Sequence, residues 1–547
     1  MVDGYKVITS PVRKNSSTAL TLSWNGPASS LVTDKIQMRA LLLDYREPLY
    51  AVWNNEQIAF TSQGSLAGAA EEGLPLAGWA PGFSLEGFGD PLFCACHGTR
   101  FALYGGAMAN AIASEAMVIA LGKAGFLGSF GAAGLPPARL EAAIQRIQAE
   151  LPEGPYAFNL IHSPLETGLE GWVIDLYLKY GIHCVEASAF IDLSPSIVYY
   201  RAAGLSLDVN GGIVIQNKVI AKISRKEVAA KFLQPAPARL LNQLLTEGKI
   251  TPQQAELAQR VPMADDITVE ADSGGHTDNR PLVGLLPAML ALRDETQAKY
   301  QYTNPVRIGA AGGISTPASA LGAFSMGAAY LVTGSVNQAC VESGACEHTR
   351  SLLAKADMAD VIMAPSADMF EMGVKVQVLK NGTLFPMRAL KLYDLYTRYE
   401  SLDDIPQEER LKLETQIFKR DIASIWADTV KFFTERDPEQ IARANENPKR
   451  KMALVFRWYL GLSSRWSASG EKGREMDYQI WCGPAMGAFN AWTQGSYLAE
   501  AGNRRVVDVA LHLLTGSAYL YRLQSLRLQG APIPAALENY RPESPLI

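Results

Sequence analysis

The sequence contains two glycine-rich turns of the kind that bind phosphate groups. The first lies within Gly309–Pro317 (GAAGGISTP), where Gly312 and Gly313 follow an apolar run and precede a Ser/Thr cap and a proline. Glycine lets a ligand approach the backbone closely, and free N–H groups at the start of the following helix favour an anion. The second turn is Gly334-Ser335, directly after the next apolar run. Together they predict a phosphate-bearing ligand; the alternative is two tight turns that bind nothing.

A third segment, Glu270–Pro281 (EADSGGHTDNRP), places a titratable ring beside two glycines. Gly274 and Gly275 leave room for a flat ring system against the backbone. His276 can accept or donate a proton near neutral pH, which suits acid–base catalysis. The segment therefore predicts a catalytic histidine beside a planar ligand, and the alternative is a structural histidine.

Three other apolar runs carry polar or small residues. Asn159 could hydrogen-bond the pyrimidine edge of a flavin, and Lys222 could place positive charge near flavin N1. The first run ends in Gly106-Ala107-Met108, where a flavin edge could lie on the backbone. For Asn159 and Lys222 the alternatives are a hydrogen-bonded core residue or a surface residue. For the glycine turn the alternative is an ordinary turn.

Eight apolar runs, with helical patterns between most of them, position these residues. The predicted strands are Phe101–Gly105, Gly125–Phe130, Tyr156–Ile161, His183–Ala187, Val219–Ser224, Ile267–Ala271, Val306–Ala310 and Ala329–Thr333. The predicted helices include Ala111–Lys123, Pro137–Glu150, Gly168–Tyr180, Arg225–Leu233, Leu282–Arg293 and Thr316–Met326. This alternation predicts an α/β fold, a (β/α)8 TIM barrel. Such barrels place chemistry at the carboxyl ends of their strands and phosphate sites after strands seven and eight, where both glycine turns fall.

The chain of 547 residues exceeds the roughly 250–300 at which single cores usually stop growing. We predict a turn-rich N-terminal extension over residues 1–95, the barrel over 96–340 and a mainly helical domain over 341–547 that covers the barrel. Insertions are predicted at 205–218, as a hairpin around Asn210-Gly211-Gly212, and at 235–265, as helices. Lys375–Leu379 is predicted to be a short strand. The tryptophans of the last region are predicted to be core residues: Trp458, Trp466, Trp481 and Trp492.

Composition excludes several classes of protein. A net charge of −5 leaves no basic surplus for nucleic-acid binding, and no run of about 18 apolar residues indicates a membrane span. Six cysteines do not suggest a disulfide framework. The pairs Cys94/Cys96 and Cys346/His348 each lack a second pair at zinc spacing. We therefore expect a cytoplasmic protein with reduced thiols and no metal site.

Longer motifs resemble a known family. The run YGGAMANAIASEAMVIALGKAGFLGSFGAAG, followed in order by FNL, SGGH, GAAGGI and LVTGS, resembles the 2-nitropropane dioxygenase (nitronate monooxygenase) and flavin enoyl-reductase barrels. The runs VEADSGGHTDNRP, RIGAAGGISTPASALGAFSMGAAYLVTGSVNQA, ADMFEMGVKVQVLKNGTLFPMRALKLYDLY and WCGPAMGAFNAW are similar to PfaD-type trans-acting enoyl reductases. Those proteins serve polyunsaturated fatty acid synthases and trans-acyltransferase polyketide synthases. The likeness covers nearly the whole chain.

The resemblance implies an FMN enzyme that passes hydride from NADPH to the β-carbon of an enoyl thioester on an acyl carrier protein, and it implies self-association. By position it implies FMN contacts from Gly106, Ala107, Met108, Asn159, Lys222, Gly274, Gly275, Gly312, Gly313, Gly334 and Ser335. His276 matches the histidine of the family GGH motif, as a catalytic residue. Arg280 could meet a phosphate of NADPH or of phosphopantetheine, or form a surface ion pair.

Departures from the nitronate monooxygenase pattern favour the reductase branch. Asp272-Ser273 replaces the usual Glu-Ala, and Pro287 is followed by Ala288 where glutamine is common. Two alternatives stay open. One is nitronate oxidation on the same barrel, with oxygen as the electron acceptor. The other is a non-catalytic subunit that docks carrier proteins through its helical domain.

Overall fold

The computed structural model describes residues 22–68, 73–162 and 167–547. The chain forms two compact units. One consists of the chain up to Ser84 together with Ala518–Tyr540, and the other consists of Leu85–Ser517 together with Arg541–Ile547. The long helix Val506–Leu528 contributes residues to both units. Among the described residues, no helix combines the length and apolar character needed to cross a membrane.

The second unit contains a closed barrel of eight parallel strands. In chain order these are β1 Leu103–Gly105, β2 Leu127–Phe130, β3 Ala157–Ile161, β4 Cys184–Ser188, β5 Lys218–Ile223, β6 Asp266–Glu270, β7 Arg307–Ala311 and β8 Leu331–Thr333. Each strand pairs with its neighbours in sequence, and β8 pairs with β1 to close the ring. All eight predicted strands overlap observed ones, so the predicted TIM barrel is confirmed.

Helices follow the strands as the predicted alternation requires. They are Glu115–Lys123, Pro137–Glu150, Thr167–Lys179, Pro195–Ala203, Lys226–Leu233, Leu282–Tyr300, Pro317–Ser325 and the short Ser335–Gln338. Local sequence determines where several of these helices begin. The Ser114 hydroxyl accepts a hydrogen bond from the Met117 N–H, and Thr316 forms a capping box with Ser319. The inserted hairpin Leu205–Leu207/Ile213–Ile215 and the inserted helices Ala238–Thr246 and Pro252–Ala258 are also as predicted.

After the barrel, the chain forms a small antiparallel sheet and a set of helices. Strand Lys375–Leu379 is observed as predicted, and it lies between Val361–Pro365 and a two-residue strand, Gly275–His276. The helices are Glu347–Leu353, Phe385–Arg398, Gln407–Lys412, Leu413–Phe418, Ile422–Arg436, Pro438–Glu446, Pro448–Ser469 and Ala485–Thr493. Val376 and Val378 of the sheet share one apolar core with these helices, so sheet and helices form a single packed region.

The first unit is built on a five-stranded antiparallel sheet. Its spatial order is Gln57–Thr61, Leu49–Asn54, Leu74–Ala80, Ser23–Asn25 and Ser65–Ala67, and helix Lys35–Leu43 accompanies it. The sequence indicated only a turn-rich segment here. The strands are short and glycines separate them, so the alternation of apolar and polar residues is too brief to stand out.

The amino end of the barrel is closed by helix Pro91–His97 and a buried charge network. His97 Nε2 lies 2.7 Å from Asp266 Oδ2, and Arg307 Nε donates to Asp266 Oδ1 over 2.6 Å. Burial alone would raise the pKa of the Asp266 carboxyl, but His97 and Arg307 outweigh that effect and hold the pKa below its usual value. Above this layer the Thr268 hydroxyl contacts the phenol oxygens of Tyr104 and Tyr330 at 3.1 and 2.9 Å, which fills the barrel centre.

Replacing Asp266 by asparagine should therefore destabilise the barrel. The change leaves the buried Arg307 without its counter-charge, and breaking such a pair typically costs about 3–5 kcal/mol. Urea unfolding at pH 7 should show this loss, whereas the exposed Asp294→Asn should leave the free energy of unfolding unchanged. A carboxyl with a lowered folded pKa adds stability above its unfolded pKa of about 3.9 and loses it as pH falls through the folded value. The gap between the wild type and D266N should shrink below about pH 4, and equal unfolding midpoints at pH 7 would contradict the account.

Candidate active site

A cavity of about 580 Å³ lies at the carboxyl ends of the barrel strands. Its floor comes from β3, β5 and β6, through Asn159, Lys222 and Glu270, and from Ala107, which follows β1. Its roof comes from helices Ile422–Arg436 and Pro448–Ser469, which we call the roof helices. A concave space of this size, lined by apolar and by charged side chains, can hold a small molecule.

Lys222 is the cation of the cavity floor. Its Nζ lies 3.2 Å from Glu270 Oε1 and 3.9 Å from Glu186 Oε1. Burial lowers the pKa of the ammonium, but the charges of Glu270 and Glu186 outweigh that effect, so the pKa lies above its usual value. Lys222 is therefore positively charged at neutral pH.

Glu186 is fully buried beneath this lysine and fixes the neighbouring strands. Its Oε2 accepts a hydrogen bond from the Ala107 N–H over 3.0 Å. Among the described residues, nothing donates a hydrogen bond to Oε1. Asn159 is held nearby, because its Nδ2 donates to the Ser188 hydroxyl and to the Glu186 carbonyl over 2.9 and 3.1 Å. The Asn159 side chain therefore has one orientation.

His276 faces a carboxylate from the region after the barrel. Its Nε2 lies 3.2 Å from Asp368, which follows strand Val361–Pro365. Burial opposes ionisation of both groups, but their mutual attraction outweighs it. The pKa of His276 is therefore raised above its usual value, and the pKa of Asp368 is lowered to about 2. The pair can hold a protonated imidazole in the cavity, which is what an acid catalyst needs.

The loop that carries His276 is held rigidly. Gly275 and His276 pair with Gln377 and Val376 of the neighbouring strand, and Gln377 Nε2 donates to Asp272 Oδ1 over 2.7 Å. A Cβ on Gly274 would lie 2.8 Å from the Cys482 N atom, so only glycine fits there. This close packing explains why the first residue of the GGH motif is glycine.

The two phosphate-type turns have open space above them. Gly312 and Gly313 have φ values of +82° and +78°, which favour glycine. A Cβ on Gly312 would lie 2.7 Å from the Ala271 carbonyl carbon, whereas one on Gly313 or Gly334 would meet no described atom within 4 Å. Ser335 Oγ accepts a hydrogen bond from the Gly483 N–H over 3.0 Å. The two open turns could therefore hold a phosphate group.

The structure brings most of the predicted site residues together. The cavity is lined by Ala107, Met108, Asn159, Lys222, Gly274, Gly275 and His276. Gly106 precedes this lining, and its N–H donates to the Thr333 carbonyl over 3.0 Å. Gly312, Gly313, Gly334 and Ser335 lie outside the lining, at the ends of β7 and β8. Arg280 is exposed and does not line the cavity.

Several residues of the site were not singled out from the sequence. Asp368 and Glu186 carry the counter-charges for His276 and Lys222, and the roof supplies Phe432, Gly461 and Leu462. Trp458 and Trp481 pack against the helical core as predicted and also line the cavity. Glu186 could have been found from the sequence, because it is a single acidic residue on an otherwise apolar strand. Asn159 was identified in the same way, as a single polar residue on its strand. Asp368 carried no comparable local signal.

Asp368→Asn should lower the pKa of His276 below its usual value of about 6.5, because burial then acts without its counter-charge. Long-range 1H–15N NMR of the ring nitrogens, followed over pH, would measure this. The chain has only six histidines, and His276→Gln identifies the signal. Asp294→Asn is the distant control. An unchanged His276 titration in Asp368→Asn would show that the pair does not exist in solution.

Comparison with known proteins shows that the chain is similar to components of synthases. It is 48% identical over 510 residues to a polyunsaturated fatty acid synthase subunit of Thraustochytrium sp., covering 92% of this chain and 34% of that protein. It is 46% identical to the polyketide biosynthesis protein PksE of Bacillus subtilis, covering 81% of this chain and 58% of PksE. The chain thus spans about a third of the first relative and somewhat more than half of the second.

Two further comparisons bear on the family of the chain: one is a match to a segment, and the other is a solved structure. Residues 399–478 match the family described as [acyl-carrier-protein] S-malonyltransferase, inserted helical domain. The crystal structure of the enoyl reductase domain of MlnA, from the macrolactin biosynthesis cluster of Bacillus amyloliquefaciens, is 40% identical with a TM-score of 0.76. That match covers 81% of this chain and 100% of the MlnA domain. The chain belongs to the PfaD-type enoyl reductase family of polyunsaturated fatty acid and polyketide synthases.

Proposed function

We propose that the chain is an FMN-dependent enoyl reductase. It takes hydride from NADPH and delivers it to the β-carbon of an enoyl thioester carried by an acyl carrier protein. The observation that carries this proposal is the cavity at the barrel's carboxyl face, where the Lys222 cation and the His276–Asp368 pair face one space. The enoyl reductase domain of MlnA, at 40% identity, supports the reaction class.

The residues present fit FMN. Gly313 and Gly334 leave space in which a Cβ would meet no described atom, which suits the phosphate. Ser315 Oγ is buried near these turns without a hydrogen-bond partner among the described residues. The cavity lining includes Ala107, Asn159, Lys222 and Gly274, which supply one cation and one oriented amide for the ring system. Bound FMN supplies hydride transfer between the nicotinamide and the enoyl carbon.

Lys222 and its two carboxylates tune the charge of the cavity floor. The ammonium is a fixed cation where negative charge develops during reduction, and such preorganised charge stabilises a transition state. Glu186 and Glu270 keep the lysine protonated and restrict where its Nζ can lie. Asn159 presents its amide in one orientation because Ser188 and the Glu186 carbonyl hold it.

His276 is the candidate proton donor. Asp368 binds its Nε2, so the imidazolium retains a second N–H at Nδ1. That proton can stabilise negative charge on the thioester oxygen or reach the α-carbon after hydride addition. The roof helices cover the space above this histidine and keep bulk water from the reacting carbons.

The carrier-protein partner is supported by the relatives. The chain is similar over most of its length to components of multienzyme synthases, and its segment 399–478 matches a domain named for an acyl-carrier-protein transferase. NADPH is the hydride donor that the family resemblance implies.

An anaerobic absorbance titration tests the proposed function. The flavin-loaded protein should bleach when NADPH is added, and its yellow colour should return when trans-2-butenoyl-pantetheine is added. Colour that returns only when air is admitted, and that trans-2-octenoyl-pantetheine also fails to restore, would favour nitronate-type oxidation. A protein that cannot be loaded with FMN would contradict both enzyme activities and favour the docking subunit.

A further inference from the structure

The roof brings two arginines to the cavity from a single helix face. Arg457 and Arg465 lie on helix Pro448–Ser469, and both line the cavity. Together with Gly461 they occupy positions i, i+4 and i+8 of the helix, which share one face. The two arginines are about 12 Å apart along the helix axis. They therefore belong to one wall of the cavity, with Gly461 between them.

Gly461 leaves this wall open between the arginines. Glycine is among the poorest helix formers, yet it lies here inside a long helix. A Cβ on Gly461 would meet no described atom within 4 Å. Because no side chain fills the stretch of wall at Gly461, the long side chains of Arg457 and Arg465 can reach a common ligand from its two ends.

Arg457 belongs to a group of cations around one carboxylate. Arg450 Nη1 donates to Glu371 Oε1 over 2.6 Å, and Arg457 Nη1 donates to the same oxygen over 3.5 Å. Burial is the main reason that the pKa of Arg450 is lowered; Glu371 opposes this effect, and the charges of Arg457 and Arg443 add to it. The Arg457 side chain is only 10% exposed, so water screens its charge weakly and an anion nearby would be attracted strongly.

Arg465 is held in place by an uncharged group. Its Nη2 donates to the Gly134 carbonyl over 2.8 Å. A guanidinium has several N–H donors, so Arg465 can bind an anion while it keeps this contact. The roof also contributes the carboxylate of Asp428 to the lining. Asp428 Oδ2 accepts a hydrogen bond from Arg420 over 2.6 Å, and this ion pair offsets its repulsion of an anion.

We propose that Arg457 and Arg465 form an anion site that binds the phosphate group of a ligand in the cavity. The planar forks of guanidinium groups match the oxygens of phosphate. The site is separate from the glycine turns, because Gly313 and Gly334 lie outside the cavity lining. The inference rests on the proposed function, in which two ligands bring a phosphate to the cavity: NADPH and the phosphopantetheine arm of the carrier protein.

Calorimetry with the FMN-loaded protein tests this site without turnover. The probes are 2′-phospho-ADP-ribose, 4′-phosphopantetheine and unphosphorylated pantetheine. We expect at least one phosphorylated probe to bind the wild type. Arg457→Gln and Arg465→Gln should each bind that probe at least about tenfold more weakly, because a hydrogen bond to a charged group is lost. The affinity for pantetheine should change less than about twofold, because pantetheine carries no phosphate.

Arg398→Gln is the matched control. Arg398 is also a helical arginine with a carboxylate partner, since its Nε lies 3.0 Å from Asp394 Oδ1, and it lies outside the cavity lining. Its replacement should leave the affinities of all three probes unchanged. If Arg457→Gln is poorly folded by circular dichroism, Arg457→Lys keeps the charge near Glu371 but loses the planar fork. That variant should show a smaller loss for the same probe.

The two phosphorylated probes separate the sources of the phosphate. A loss confined to 2′-phospho-ADP-ribose would assign the site to the nucleotide, and a loss confined to 4′-phosphopantetheine would assign it to the carrier-protein arm. Losses for both probes would indicate a site that the two ligands share.

Other outcomes would overturn the anion site. They are the absence of binding by either phosphorylated probe, unchanged affinities in both arginine variants, and an equal loss in Arg398→Gln. Release of FMN from Arg457→Gln or Arg465→Gln would also overturn it, because these residues would then serve the cofactor. Phosphate-dependent binding that the two variants weaken would support the site even if the protein failed to transfer hydride. Failure of hydride transfer alone would contradict only the proposed reaction.

Discussion

The site depends on a short antiparallel contact between the barrel and the chain that follows it. Gly275 and His276 pair with Gln377 and Val376, and the strand Lys375–Leu379 is part of the helical core through Val376 and Val378. The barrel loop that carries His276 is therefore also an edge of the helical region. This contact helps to hold Asp368 opposite His276, while Asn110 Nδ2 ties the roof to the barrel by donating to the Ser464 hydroxyl over 2.8 Å.

Two places in the cavity have the same arrangement of charge. Each cation faces carboxylates: Lys222 lies between Glu186 and Glu270, and His276 faces Asp368. Burying an unpaired charge costs several kcal/mol, so these carboxylates are what allows cations to persist in a covered space. The floor and the loop carry these pairs, and the roof contributes both apolar and charged side chains, among them Phe432, Asp428 and Arg457.

The barrel could be predicted from the sequence. The charged pairs of the cavity, Lys222 with its carboxylates and His276 with Asp368, could be predicted only in part. Strands β1–β8 and the turns at Gly312 and Gly334 each depend on a run of adjacent residues, so a local pattern is enough to predict them. Asp368 lies 92 residues from His276, so the fold, and no local pattern, brings them together. Arg280 is exposed and lies outside the cavity lining, so its contact with a phosphate stays a prediction beside the alternative of a surface ion pair. The sheet of the first unit was missed because its strands are short.

The central claim is that the cavity and the two glycine turns form one FMN site. The most direct measurement compares FMN and riboflavin affinities of Gly313→Val and Gly211→Val by flavin fluorescence. Gly211, at the tip of the inserted hairpin, has φ +79° and open space like Gly313, so both variants carry the same backbone strain. We expect at least about tenfold weaker FMN binding for Gly313→Val only, with riboflavin affinity unchanged because it lacks the phosphate. Unchanged FMN affinity, or an equal loss for riboflavin, would contradict the claim.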